Sequence, residues 1–326
     1  MTVNMPCLIC GSEENHERFR IRYPEHNYPG DFCIRECKGC GLLFNSPRIP
    51  EEQLKQLYDN NYYFFKRPAI DEFNRSVHIY NRTIRRIENK ISEKRVLEIG
   101  SAKGYLLSIM QKMGWEVKGI EISAEAARYA VEKLHVDTFH GTIDQYIQSP
   151  GAFEPYPLVL AIDIIEHVPD PVLFIRHLQK IVKPGGMLII DTPNGGSKKI
   201  GIEGSAWKGF NPYHISLFSV SNLSQLLTQS GFHLKDIFFY GGKIDDQQKI
   251  GYRKRIKIML QSSFAWPIFE HTYNLIKSAA SRIIPIPYYL HLAESKISSL
   301  KRLESLSQNK NDVDDGDNFV LFAQKE

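Results

Sequence analysis

Arg95-Val-Leu-Glu98-Ile-Gly100-Ser-Ala102-Lys-Gly104-Tyr-Leu-Leu107 is the stretch that decides the fold. A short apolar strand over Arg95–Ile99 runs straight into a glycine-bearing turn, and Tyr105–Met113 follows as a helix. Such a turn lets the backbone come close to a ligand while the first helical amides point at it. The same unit then repeats. Glu116–Ile122 is a second strand, Ser123 is placed to cap a helix over Ala124–Leu134, and Val136–His140 is a third strand. Leu158–Asp163 is the fourth, with a helix over Pro171–Val182 behind it. Lys183–Gly186 reads as a turn leading into a fifth strand, Met187–Asp191. A helix over Leu223–Ser230 closes at Gly231, Leu234–Tyr240 is the sixth strand, and Phe319–Ala323 adds one more at the end. Strands alternating with helices predict an α/β domain, a parallel sheet covered on both faces.

The second strand ends on Glu121, a carboxylate able to accept both hydroxyls of a ribose at the strand edge where such sheets bind ligands. A nicotinamide dinucleotide would be held by similar parts. Its fingerprint, however, asks for glycine at 100, 102 and 105, and this chain has Ala102 and Tyr105. A tyrosine at the third position keeps the helix from packing closely on the strand. An NAD-dependent oxidoreductase is the disfavoured alternative, and a glycine-rich turn that binds nothing is the plainer one.

VLEIGSAKGYLL (96–107) resembles the first motif of class I S-adenosylmethionine-dependent methyltransferases, acid-x-Gly-x-Gly-x-Gly. Glu98, Gly100 and Gly104 match it, while Ala102 stands at the middle glycine and leaves less room against the methionine part of the cofactor. GIEIS (119–123) resembles the second motif, which implies Glu121 as the ribose ligand. LVLAIDIIEHVPDP (158–171) is similar to the fourth-strand motif and is the most distinctive match. It implies Asp163 near the reacting methyl and His167 shaping the cofactor edge. His140–Asp144 matches the adenine-side loop loosely and brings in Ile143. KPGGMLIIDTPN (183–194) and FVLFAQK (319–325) correspond to the fifth strand and to an antiparallel seventh. The resemblance covers residues 94–240 plus the final strand and implies a Rossmann-like seven-stranded methyltransferase sheet.

Two CxxC knuckles stand ahead of this domain, Cys7-Leu-Ile-Cys10-Gly11 and Cys37-Lys-Gly-Cys40-Gly41. Two residues between cysteines let both sulfurs reach one ion, and the following glycine permits the tight turn. Four thiolates close a tetrahedral Zn²⁺ shell with no position left for chemistry, so the ion would be structural. It would substitute for a core that ~40 residues cannot supply. A redox pair or two disulfides fit the doubled pattern poorly. Cys33 is left over as a small apolar residue. The segment resembles zinc-ribbon extensions found ahead of methyltransferase domains that act on sugars and other small molecules, which implies a part in substrate binding or docking.

Methyl transfer is an in-line displacement in which the sulfonium drives its own departure, so the protein mainly aligns the partners. A hydroxyl or carbon nucleophile also has to lose a proton, which suits a histidine. His214 lies in the long loop Trp207–Phe218 after the fifth strand, a stretch similar to a Tyr/His segment of sugar-modifying relatives. That similarity implies His214 as base with Tyr213 assisting; hydrogen bonding to loop backbone is the alternative. His16, His78 and His177 are assigned to surfaces or helices.

The expected organisation is a zinc-ribbon-like module over 1–50, a helical linker over 51–93, and a methyltransferase domain over 94–326 with a helical insertion at 243–316. Within the linker, Phe73, Val77, Tyr80, Ile84, Ile87 and Ile91 recur at helical spacing on one face. The 326 residues are 42% hydrophobic and 24% charged with a net charge of +4, spread along the chain, which does not favour a nucleic-acid partner. Arg253–Phe269 admits a basic membrane-surface element, but acidic and polar interruptions favour a lid or a homo-oligomer surface. The absence of a signal sequence and of a long apolar run, with cysteines in metal-type pairs, places the chain in the cytoplasm. The expected function is transfer of a methyl from S-adenosylmethionine to O or C of a small-molecule acceptor, a sugar or polysaccharide precursor. A non-catalytic adaptor that keeps the fold is the remaining alternative.

Overall fold

The computed structural model describes residues 6–23, 30–50, 68–150, 154–241 and 315–326. Two compact units divide the described residues: 6–23, 30–50, 161–241 and 315–326 belong to one, 68–150 and 154–160 to the other. Residues 51–67 of the expected linker and almost all of the 243–316 insertion, including Arg253–Phe269, lie outside the described residues.

In the second unit, helix α1 (Ala69–Arg82) presents Phe73, Val77 and Tyr80 to the interior, as the spacing predicts. It does not run on to Ile91. Thr83 leaves helical geometry, its buried hydroxyl bonds back to the Ile79 carbonyl at 2.6 Å, and only the short α2 (Ile84–Ile87) and a 3₁₀ turn follow. Strand β4 (Arg95–Ile99) leads into α3 (Tyr105–Lys112), β5 (Glu116–Glu121), α4 (Ala124–Leu134), β6 (Thr138–His140) and α5 (Ile143–Gln148). Ser123 caps α4 as expected, its hydroxyl accepting from the Ala126 amide. Strand β7 (Tyr156–Ile162) is buried at every residue, as a parallel strand covered on both faces must be.

The first unit begins with a ribbon of β1 (Asn15–Arg22), β2 (Asp31–Cys37) and β3 (Leu43–Ser46). It continues with α6 (Pro171–Ile181), β8 (Val182–Pro193) and α7 (Lys198–Glu203). Then come β9 (Ser216–Leu217), α8 (Val220–Gln229), β10 (Phe232–Tyr240) and β11 (Asn318–Lys325). The turn expected at Lys183–Gly186 is instead the first part of β8. Its carbonyls find donors on the last strand: Gln324 Nε2 donates to Gly185 O at 2.8 Å and Lys325 Nζ to Val182 O at 2.9 Å. Gly185 keeps a turn-like φ of +74°, and the ladder to β11 starts only at Met187.

Seven strands form one sheet in the order β10-β11-β8-β7-β4-β5-β6. Strands β4, β5 and β6 pair in parallel, whereas β11 runs antiparallel to both β8 and β10. The order turns back on itself at β4, so the loop leaving that strand sits where such sheets take ligands. A second, four-stranded sheet runs β1-β2-β3-β9, so the cysteine ribbon is extended by a strand from the loop after β8. Leu43 pairs with Leu217 and Phe44 with Ser216, over a core of Ile21, Phe32, Ile34, Trp207, Phe210 and Leu217.

Candidate active site

The turn after β4 is held by backbone bonds from the amides of Gly100 and Ser101 to the Ile120 carbonyl, at 2.8 and 3.1 Å. Gly100, Ala102 and Gly104 all take positive φ, +71°, +47° and +77°. The conformation a middle glycine would allow is therefore present, carried by an alanine. Gly104 has a further reason: a Cβ there would stand 3.0 Å from the Ala130 Cβ, where α3 meets α4. A left-handed alanine costs roughly 1–2 kcal/mol, part of which glycine would return as added freedom of the unfolded chain. Ala102→Gly is thus expected to raise stability by up to about 1 kcal/mol in denaturant titrations. A loss would mean that packing of the Ala102 methyl outweighs the strain.

Glu121 closes β5 with 4% of its surface exposed. One of its carboxylate oxygens accepts from the Ala102 amide and the other from the Ser123 amide, both at 2.8 Å. Burial raises its pKa while these amides pull it back, so the carboxylate is pinned between the turn and the start of α4. Glu98, on β4, is buried, and its carboxyl is pushed up to about 8, chiefly by that burial, with Arg75 opposing and Glu121 adding to it. Its Oε2 has no hydrogen-bond partner. Ile143, partly buried, opens α5 beside Thr142, whose capping box with Gln145 fixes that loop. The sequence did not point to Lys103, which pairs with buried Glu72 of α1 at 3.0 Å and ties the turn to that helix.

Asp163, directly after β7, is a left-handed non-glycine residue with φ +51°, and its amide donates to the Asp191 carbonyl at 2.8 Å. A strained residue at a strand's carboxyl end is a common feature of working sites. The chain then turns through the 3₁₀ residues Ile165–His167. His167 Nδ1 donates to the Tyr213 carbonyl at 2.9 Å, and His214 Nδ1 to the Gly209 carbonyl at 2.8 Å. The two rings meet edge to face with centroids 4.8 Å apart. Burial lowers both pKa values, that of His167 to about 3 with His214 adding to the effect, and that of His214 against the pull of Asp163. Both are neutral imidazoles near pH 7.

Tyr213 is buried and meets His167 through its backbone carbonyl. The loop carrying both residues is fixed from the ribbon, since Asn45 Nδ2 donates to the carbonyls of Asn211 and Pro212 at 2.9 and 2.7 Å. Glu166, to which the sequence assigned no role, is 1% exposed and accepts from the Thr192 hydroxyl at 3.0 Å. Its signal was in view: a carboxylate beside a histidine amid apolar neighbours. His16 and His78 are exposed, while His177 on α6 is buried.

Cys7, Cys10, Cys37 and Cys40 place their sulfurs within 4.8 Å of one another, with Cys7–Cys40 and Cys10–Cys37 contacts of 3.5 Å. Sulfurs about 2.3 Å from one ion in tetrahedral array lie about 3.8 Å apart, so the four fit such an ion. The knuckles repeat one geometry. Gly11 and Gly41 take φ +70° and +73°, and their amides donate to the Cys7 and Cys37 carbonyls at 3.0 and 2.9 Å. Burial pushes the Cys37 thiol up, but amide and neighbouring-thiol hydrogen bonds bring it down to about 7. Cys33 stands apart, its thiol donating to Glu17 at 3.3 Å.

The strand order with its antiparallel β11, the left-handed turn after β4 and the clamped carboxylate on β5 define the class I, Rossmann-like methyltransferase fold. The chain belongs to the methyltransferase-domain family, whose model, described as "Methyltransferase domain", matches residues 71–236. A ubiquinone biosynthesis O-methyltransferase of Maricaulis maris is 30% identical over 154 residues, 43% of this chain and 59% of that protein. One from Aliivibrio fischeri is 36% identical over 113 residues, 32% of this chain and 47% of that protein. The matched stretch thus spans about half the length of these relatives. A solved S-adenosylmethionine-dependent methyltransferase from Archaeoglobus fulgidus is 18% identical, covers 81% of this chain and 100% of its own, and has a TM-score of 0.49.

Proposed function

We propose that this chain transfers the methyl group of S-adenosylmethionine to a hydroxyl oxygen of a small molecule. The observation that carries the reading is the Glu121 carboxylate, held by the Ala102 and Ser123 amides against the turn after β4. Its remaining lone pairs suit the two ribose hydroxyls of the adenosyl group. Gly100, Ala102 and Gly104 bring backbone close to the donor, with Ile143 toward its adenine and Glu98 supporting the turn. Asp163 and His167 border the methionine end. Oxygen is favoured over carbon because the relatives matched over this stretch are named as O-methyltransferases.

In the reaction an O–CH₃ bond forms as the S–CH₃ bond breaks, and neutral S-adenosylhomocysteine departs. The hydroxyl must also shed its proton. His214, neutral and with Nε2 bearing the lone pair, is the group for that end of the reaction, and the Tyr213 backbone steadies the neighbouring His167. The four thiols hold a structural Zn²⁺, and the ribbon it closes fixes the His214 loop through β3 and β9. The acceptor is a sugar or polysaccharide precursor, the class implied by the ribbon and the Tyr/His segment. None of the five cysteines is in a disulfide, which supports a reducing cytoplasm. No helix among the described residues is long and apolar enough to cross a membrane.

The test is a labelled-methyl screen over nucleotide sugars and precursors of ubiquinone, preceded by calorimetric titration with S-adenosylhomocysteine and with NAD. Binding of the first alone, followed by label on a nucleotide sugar, is the expected result. Label on a ubiquinone precursor replaces the acceptor class. Binding of NAD in place of the sulfur compound removes the methyltransferase reading altogether.

A further inference from the structure

Glu166, His167 and His214 each bring one ligand atom to within 4.8 Å of the other two, all in one compact unit. Both imidazoles spend Nδ1–H on a backbone carbonyl, which leaves a lone pair on each Nε2. Glu166 spends Oε2 on the Thr192 hydroxyl, and its Oε1 is buried with no hydrogen-bond partner. His167 Nε2 lies 4.0 Å from a Glu166 oxygen, Oε1, too far for a hydrogen bond. Two imidazole lone pairs and an unsatisfied carboxyl oxygen therefore converge. Such a group is costly to bury unless something positive sits among them.

We propose that Glu166, His167 and His214 hold one divalent transition-metal cation, whose open positions take hydroxyl oxygens of the methyl acceptor. Two imidazoles and a carboxylate suit Mn, Fe, Co or Zn better than Mg or Ca. The carbonyls of Tyr213 and Gly209 and the Thr192 hydroxyl orient the three ligands, the outer support that metal ligands ordinarily have. Ligand atoms about 2.1 Å from a shared ion lie roughly 3–4 Å apart, so the cation draws this cluster inward by about an ångström. Three protein ligands leave room for substrate oxygen.

The inference rests on the methyl transfer to a hydroxyl proposed above. A cation-bound hydroxyl gives up its proton more readily, here to water, and its oxygen then displaces the sulfur. With the cation bound, the His214 lone pair is spent on the metal and the cation replaces it in easing loss of the hydroxyl proton; the acceptor best suited to the site carries two neighbouring hydroxyls.

The experiment titrates Mn²⁺ and Co²⁺ into the full-length chain loaded with about one equivalent of zinc for the four thiols, reading loss of the free Mn²⁺ paramagnetic signal and the Co²⁺ absorbance. The wild type is expected to take up about one equivalent, and Glu166→Gln and His214→Ala each to weaken uptake at least about tenfold. Uptake of neither ion by the wild type, or uptake that both substitutions leave intact, overturns the site. Binding of S-adenosylhomocysteine by the same samples shows that the variants are folded. It also separates the two readings, because cation uptake can fail while donor binding persists, and the reverse.

Discussion

Glu121→Ala is expected to bind S-adenosylhomocysteine more weakly than the wild type by about 1–3 kcal/mol, roughly five- to 150-fold in Kd. Two losses add. The ribose would no longer meet a charged acceptor, and the amides of Ala102 and Ser123, each 2.8 Å from the carboxylate, would lose the partner that sets the turn. The second loss predicts a lower melting temperature without ligand, because both donors lie at a residue that is 4% exposed. Glu121→Gln separates the contributions. It keeps one acceptor oxygen for an amide but turns an NH₂ toward the other, so it should fall between the wild type and the alanine variant. Calorimetry of the three proteins gives the order directly. Equal affinity in all three would remove Glu121 from the donor site and with it the central support for methyl transfer.

The part of the candidate site around the turn after β4 and Glu121 was legible because its constraints are local. Strand, turn and helix follow one another within Arg95–Lys112, and apolar runs, glycines and a strand-terminal acid all mark themselves in sequence. The middle-glycine departure even retained its geometry, since Ala102 adopts the φ of +47° that glycine would. The part around His214, proposed for the acceptor, was legible only in part. His214 could be singled out, but not its edge-to-face meeting with His167, which depends on a contact across 46 positions of chain. Strand β9 is two residues long, Ser216–Leu217, too short for any alternation to register. Thr83 interrupts a helical period that reads as continuous, because back-bonding of a buried hydroxyl leaves no trace in apolar spacing. The Lys183–Gly186 segment has every residue of a turn, yet it forms the start of β8, with side chains from the last strand donating to the Gly185 carbonyl and to that of Val182 just before it.

The short pairing of β3 with β9 carries the largest consequence. Metal removal, or Cys37→Ser, should lower zinc content from about one per chain toward zero. It should also abolish methyl transfer while leaving S-adenosylhomocysteine affinity within about twofold of the wild type. Structural zinc contributes roughly 10–16 kcal/mol to a small ribbon, far more than any single side chain here. Without it β1, β2 and β3 have only a small core, shared with Ile200, Trp207, Phe210 and Leu217. The Asn45 bonds to Asn211 and Pro212 would then go, and with them the placement of Tyr213 and His214. The Glu121 clamp draws its hydrogen bonds from the backbone amides of Ala102, Ile122 and Ser123, none of them in the ribbon, so it has no need of the ribbon. Hydrogen exchange should accordingly rise at Leu43–Ser46 and Ser216–Leu217 but not at Glu116–Glu121. Transfer that survives in a metal-free, fully folded chain would mean that the ribbon serves docking and that the His214 loop stands without it.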